Sequence, residues 1–142
     1  MAGAQIDIVD AMEKQNPMRS PLRLVTTVLG GFFTLQGLAW LVAPARTAAG
    51  LGMPLLDGLA RSTQIGDLSA FFFVAGVTML VGSRPGRARL LYVPAGLIGG
   101  AAVTRTLAWA LHGADFAALF ISIEVAIGLV LLTAARSLDE GS

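Results

Sequence analysis

The chain has 142 residues, 55% of them hydrophobic and only 13% charged, and its mean hydropathy is +0.73. A soluble domain carries about 25% charged residues to cover its surface, so this composition excludes an ordinary soluble globule. Ten basic residues against nine acidic ones leave a net charge of +1 without a basic stripe, which excludes a nucleic-acid binder. With no cysteine and one histidine, disulfides, thiol chemistry and a histidine-rich metal site are also excluded, and neither metal nor cofactor is expected. The composition is that of a small integral membrane protein, whose first partner is the lipid bilayer.

Residues 1–21 mix Ile6, Ile8, Val9 and Met12 with acids and close on Asn16-Pro17. They read as a tail or a short interfacial helix. Leu24–Ala45 is an uncharged run of 22 residues, long enough to cross a bilayer core that takes about 20. It predicts a helix over 22–43. Ala43-Pro44-Ala45 has the small-x-small form of a signal cleavage site. However, the apolar run exceeds the usual ~7–15 residues and the leader carries Asp7, Asp10 and Glu13, so a retained helix is expected.

Pro44–Ser62, punctuated by Gly50, Gly52, Pro54 and Gly58, is expected to lie on the outer surface as a short amphipathic helix or re-entrant cap. Three further helices are expected at about 63–82, 89–111 and 116–135. Each reaches spanning length only by including one ionisable residue: Asp67, Arg105 and Glu124 respectively. The turns between them are Ser83–Gly86 and His112–Asp115. The expected architecture is an all-α membrane four-helix bundle over 22–136, followed by a tail at 137–142. A soluble four-helix bundle would need charged outer faces, and these helices are apolar all round.

Lys14, Arg19, Arg23, Arg84, Arg87, Arg89 and Arg136 fall on one side of such a bundle, and only Arg46 and Arg61 on the other. Seven against two place both termini in the cytoplasm. The polar residues inside the spans then converge. At about 1.5 Å rise per residue, Gln36, Asp67, Arg105 and Glu124 lie roughly 6–12 Å below the outer end of their helices. A charge in mid-membrane costs about 2.5–3.5 kcal/mol even on lenient scales, so these side chains should turn inward and meet. Arg105 is expected to pair with Glu124 or Asp67, with Gln36 completing the set. Two acids facing one arginine imply either a protonated carboxyl or a wet pocket. The alternative is a purely structural ion pair that pins helix register.

Other features read as structural. His112 beside Gly113 suits a cap on helix-end carbonyls, with a ligand role as the lesser reading. Gly96 and Gly100 form a GxxxG on the third span, suited to close packing inside the bundle or between two copies of the chain. Pro94 should kink that span. The phenylalanine clusters Phe32-Phe33 and Phe71-Phe72-Phe73, with Trp40 and Trp109, read as packing and interface anchors rather than a cofactor box.

Gly66-Asp67 with Phe71-Phe72, Gly99-Gly100 followed by Arg105, and His112-Gly113 followed by Glu124 and Gly128 together resemble the DoxX-like superfamily of small bacterial four-helix membrane proteins, in its uncharacterised branches. The likeness covers roughly residues 22–136. It implies a four-helix bundle in a bacterial inner (plasma) membrane, no cofactor, and little about mechanism.

The leading functional expectation is an outer-half polar pocket for an amphipathic or lipid-like ligand, with Gln36, Arg105 and His112 as binding residues. The first alternative is a membrane-embedded acid–base isomerase or cyclase, in which Asp67 and Glu124 divide the acid and base roles. The second is a proton-coupled small exporter. Such carriers usually hold their essential acid in the first helix, which here has only Gln36.

Overall fold

A computed structural model describes residues 19–139. The expectations for residues 1–18 and for the last three residues lie outside the described part. Within it the chain forms α1 (Arg19–Val42), α2 (Pro44–Gly50), α3 (Gly58–Gly82), a single 3-10 turn (Ala88–Leu91), α4 (Tyr92–His112) and α5 (Ala118–Asp139), with no strand among the described residues. Four of these helices are long and apolar enough to cross a membrane. Only 22–28% of the most apolar stretch of each is buried inside the molecule. Leu24, Val28, Leu35, Val103, Leu107 and Leu129 all point outward. A soluble monomer does not expose apolar surface on this scale, so the fold is that of a multi-pass membrane protein.

The bundle is built from two tight antiparallel pairs, α1 with α3 and α4 with α5, which meet each other more thinly. Glycine makes the first seam. A Cβ on Gly37 would lie 2.6 Å from the backbone nitrogen of Phe73, and one on Gly76 would run into the backbone of Thr34. Only glycine lets these two backbones approach so closely, and in lipid such packing, rather than hydrophobic transfer, holds helices together. The second seam is looser. A Cβ on Gly128 would meet Gly99 at ordinary van der Waals distance, 3.9 Å, flanked by buried Ala95, Ile98 and Ala102 on α4 and by Leu131 and Ala134 on α5.

This seam corrects the expectation that Gly96 and Gly100 pack inside the bundle. Both are exposed, and nothing lies within 4 Å of a Cβ placed on either. A helix repeat of 3.6 puts residues 95, 98, 99 and 102 on the face that meets α5, which turns 96 and 100 outward.

Pro94 is also placed differently from expectation. It is the third residue of α4 and buried, preceded by the 3-10 turn. The first N–H groups of a helix have no intrahelical acceptor, so a proline there removes no bond and the chain starts a helix rather than kinking one. Helix α3 begins five residues earlier than expected, at Gly58 (φ 58°), and α5 runs on to Asp139.

The core lies toward the end that carries the α3–α4 turn. There Met79, Leu91, Leu131, Ala134 and Ala135 are wholly buried, joined by Ala88 and Leu138. The 3-10 turn plugs this end by setting Leu91 against Gly82, where a Cβ would come within 2.7 Å of the leucine. Thr27 Oγ1 donates to Ser83 Oγ (3.1 Å), which donates to the Leu80 carbonyl (2.9 Å), tying α1 to the end of α3. Arg89 Nε binds the Asp139 carboxylate at 3.0 and 3.2 Å across the same end.

Candidate functional site: a phenylalanine-lined cleft with one ion pair

At the opposite end the helix pairs part and leave a cleft of about 420 Å³. Every long helix contributes to it. Phe32 and Phe33 come from α1, Leu68, Phe71 and Phe72 from α3, Ile98, Ala101 and Arg105 from α4, and Phe120, Ile123, Glu124 and Ile127 from α5. Leu51 and Met53, from the connection after α2, complete the wall. The Phe33 and Phe72 rings are 5.5 Å apart, and those of Phe71 and Phe72 pack edge-on at 5.3 Å. The phenylalanines expected to be plain packing residues therefore form the lining of a cavity of ligand size.

The only charged side chains in this lining are Arg105 and Glu124. Arg105 Nε donates to Glu124 Oε1 at 2.8 Å. The guanidinium carbon also lies 5.2 Å from the centre of the Phe120 ring, a cation–π contact. Residues 105 and 124 meet because α4 and α5 run antiparallel, which brings the eighth residue from the end of α4 opposite the seventh of α5. The pair is unevenly covered, the arginine side chain being 41% exposed and the glutamate 16%. Glu124 Oε2 is buried and has no hydrogen-bond partner among the described residues. Such an atom is uncommon in a native fold and calls for a reason.

The other expected site residues lie elsewhere. Asp67 is exposed on α3 and makes no ion pair with Arg105. Gln36 is half-buried on α1, and neither it nor Asp67 lines the cleft. Asp67 sits in the same turn as Leu68, yet successive residues differ by about 100° around a helix, and Leu68 takes the inward position. Carboxyl chemistry at the cleft thus rests on Glu124 alone. His112 is exposed at the end of α4 and outside the lining. Gly113 (φ 66°) ends that helix in the left-handed conformation, and the Ala114 N–H returns to the Ala108 carbonyl at 3.4 Å. The backbone, not the imidazole, caps the helix. Trp40 is fully buried instead of facing lipid, whereas Trp109 is half exposed and packs its ring 5.1 Å from that of Phe116.

Gln64 escaped the sequence reading. From the second turn of α3 its side chain accepts the Leu56 N–H (3.0 Å) and donates to the Pro54 carbonyl (3.1 Å) and to Met53 Sδ (3.2 Å). One amide therefore holds the segment that supplies Leu51 and Met53 to the cleft. Thr47 Oγ1 fastens the start of the same connection to α1, donating to the Ala39 carbonyl at 3.2 Å. A polar residue next to a proline- and glycine-rich link is the signal that could have flagged Gln64.

No family model, curated protein or solved structure matches this chain.

Proposed function

We propose that the protein is a binding protein for an amphipathic, lipid-like ligand, held in the cleft between the two helix pairs. The observation that carries this reading is the combination of a lining of five phenylalanines with a single charged pair, one of whose carboxylate oxygens is unpartnered. Ligand pockets of about 300–1,000 Å³ with mostly apolar walls and a few convergent polar groups suit a molecule with an apolar body and one polar head. In this reading Arg105 and Glu124 take the head and the phenylalanines the chain. The acid–base and exporter readings draw support only from Glu124, since Asp67 stands apart.

The membrane is proposed to be a bacterial inner (plasma) membrane with both termini cytoplasmic. Arg84, Arg87, Arg89 and Arg136 cluster at the closed end, against Arg46 and Arg61 at the cleft end, which agrees with the positive-inside rule. The cleft would then open in the outer half of the bilayer. Kinship with the DoxX-like superfamily is proposed from its short motifs alone. Pairing of two copies through the open Gly96/Gly100 face is proposed likewise. Gly100→Leu should leave each copy folded and abolish cross-linking between copies.

The test is ligand-dependent stabilisation of the purified protein in nanodiscs by a membrane lipid extract. Arg105→Ala is expected to stay folded and to lose that stabilisation. Stabilisation of the variant equal to that of the parent protein would remove the reading.

A further inference from the structure

Granted that the cleft is a ligand site, we infer that its ligand carries a neutral head that both donates and accepts a hydrogen bond, a hydroxyl above all. The inference rests on the proposed binding reading and narrows it from lipid-like to a chemical class.

The ion pair leaves hydrogen-bonding valences unused on both partners. Arg105 Nε is committed to Glu124 Oε1, and the guanidinium makes no other hydrogen bond to a described residue. Its Nη groups are therefore available to an acceptor. Glu124 Oε2 is an acceptor in want of a donor. It is covered in the present rotamer, but the last torsion of a glutamate has a broad well, and a modest turn presents this oxygen to the cleft. A head that accepts from Arg105 and donates to Glu124 completes both groups at once.

Charged heads do this badly. Arg105 and Glu124 together carry no net charge. A carboxylate placed on Arg105 would stand against the unpartnered oxygen of Glu124, and an ammonium placed on Glu124 would stand against the guanidinium. Either would also bring an uncompensated charge into walls of phenylalanine, isoleucine and leucine. A hydroxyl avoids both costs.

The test uses four probes sharing one alkyl chain, namely lauryl alcohol, lauric acid, laurylamine and dodecane, with thermal unfolding followed in phosphatidylcholine nanodiscs at neutral pH. The alcohol is expected to raise the midpoint saturably, at a concentration about tenfold below that needed by the acid or the amine, the worth of one hydrogen bond to a charged group. In the double variant Arg105→Met/Glu124→Leu, which removes the pair without leaving a lone charge, the alcohol should fall to the level of dodecane. An acid or amine that acts at the concentration of the alcohol or below overturns the neutral head and leaves the binding reading standing. So does an alcohol advantage that survives in the double variant, or a dodecane that equals the alcohol in the parent protein. If no probe shifts the midpoint, the binding reading itself fails.

Discussion

The two ends of this bundle are made from the same kinds of residue and reach opposite results. At the closed end small and large side chains alternate. Ala88, Ala134 and Ala135 leave room for Met79, Leu91, Leu131 and Leu138, and the 3-10 turn is drawn in against Gly82. At the cleft end most facing positions are large, with Phe32, Phe33, Phe71, Phe72 and Phe120 turned toward one space. Rings of this size hold the helix pairs apart before the space is filled. Polar side chains follow the same division. Thr27 and Ser83 at the closed end are bonded to each other, whereas Trp40 Nε1, Ser69 Oγ and Glu124 Oε2, all in the cleft half, have no partner among the described residues. One end is packed for stability, and the other keeps volume and hydrogen-bonding capacity in reserve.

The sharpest way to break this contrast is to truncate one aliphatic residue of α5 at each end. Leu131 is fully buried at the closed end and Ile123 is 46% exposed in the cleft wall. Leu131→Ala leaves a hole that close-packed neighbours cannot fill. In lipid the packing loss remains while the transfer loss is reduced, so the cost should fall at the low end of the range for such truncations, about 2–3 kcal/mol. Ile123→Ala should cost less than about 1 kcal/mol, because its site is already open. Equal losses in thermal or denaturant unfolding in detergent would show that the cleft end is as tightly packed as the closed one.

The ion pair is the next largest effect. Removing one partner of a fully buried pair costs about 3–5 kcal/mol. Arg105 is 41% exposed and water relieves part of that penalty, so Glu124→Leu alone should destabilise by roughly 1–3 kcal/mol. Arg105→Met/Glu124→Leu, which leaves no lone charge, should recover most of that loss. A double variant no more stable than the single would show that the pair contributes net stability to the bundle, which would favour its reading as a register pin.

Sequence reasoning reached the spans because lipid imposes a single requirement on each, about 20 apolar residues, and the four runs meet it with few rivals. It also brought Arg105 level with two candidate partners, Glu124 and Asp67, since depth along a helix follows from counting residues, and the structure pairs it with Glu124. It failed where rotation about the helix axis decides. Asp67 has the right depth and the wrong face, Gly96 and Gly100 have the right spacing and the wrong face, and Trp40 has the depth of an interface residue on an inward face. Helices that are apolar nearly all round give only a weak periodic signal of which side is in. The cleft was invisible for the same reason: it depends on which phenylalanines share a level on neighbouring helices, and that follows from the glycine seam between α1 and α3.

A smaller effect is expected at the mouth of the cleft. Gln64→Ala removes all three hydrogen bonds from the amide to the 53–56 segment. The residue is near the surface, where water can replace those partners, so the loss of stability should stay below about 1 kcal/mol. Hydrogen exchange of the amides in residues 51–57 should rise well above that of α3, while exchange at the closed end is unchanged. If the segment stays protected, the cleft wall is held by Leu51 and Met53 packing and not by the amide.

The smallest change separates a reserve of hydrogen-bonding capacity from a simple defect. Ser69 lies on α3 one residue from Leu68 in the cleft wall, and its hydroxyl is buried without a partner. An unsatisfied buried hydroxyl costs stability, and replacing it with a methyl group removes that cost without opening a hole. Ser69→Ala should therefore leave the protein equally stable or stabilise it by up to about 1 kcal/mol, and should not alter binding of the alcohol probe. Ser83→Ala at the closed end removes a satisfied hydroxyl, one that accepts from Thr27 and donates to the Leu80 carbonyl, so it should destabilise by about 1 kcal/mol. Opposite signs for these two serines would show that the division between the ends extends to single hydroxyls. A loss of stability at Ser69 matching that at Ser83 would mean that the hydroxyl has found a water or lipid partner in the membrane, and that the hydrogen-bonding capacity the cleft holds ready for a ligand rests on Glu124 Oε2 and the Arg105 Nη groups.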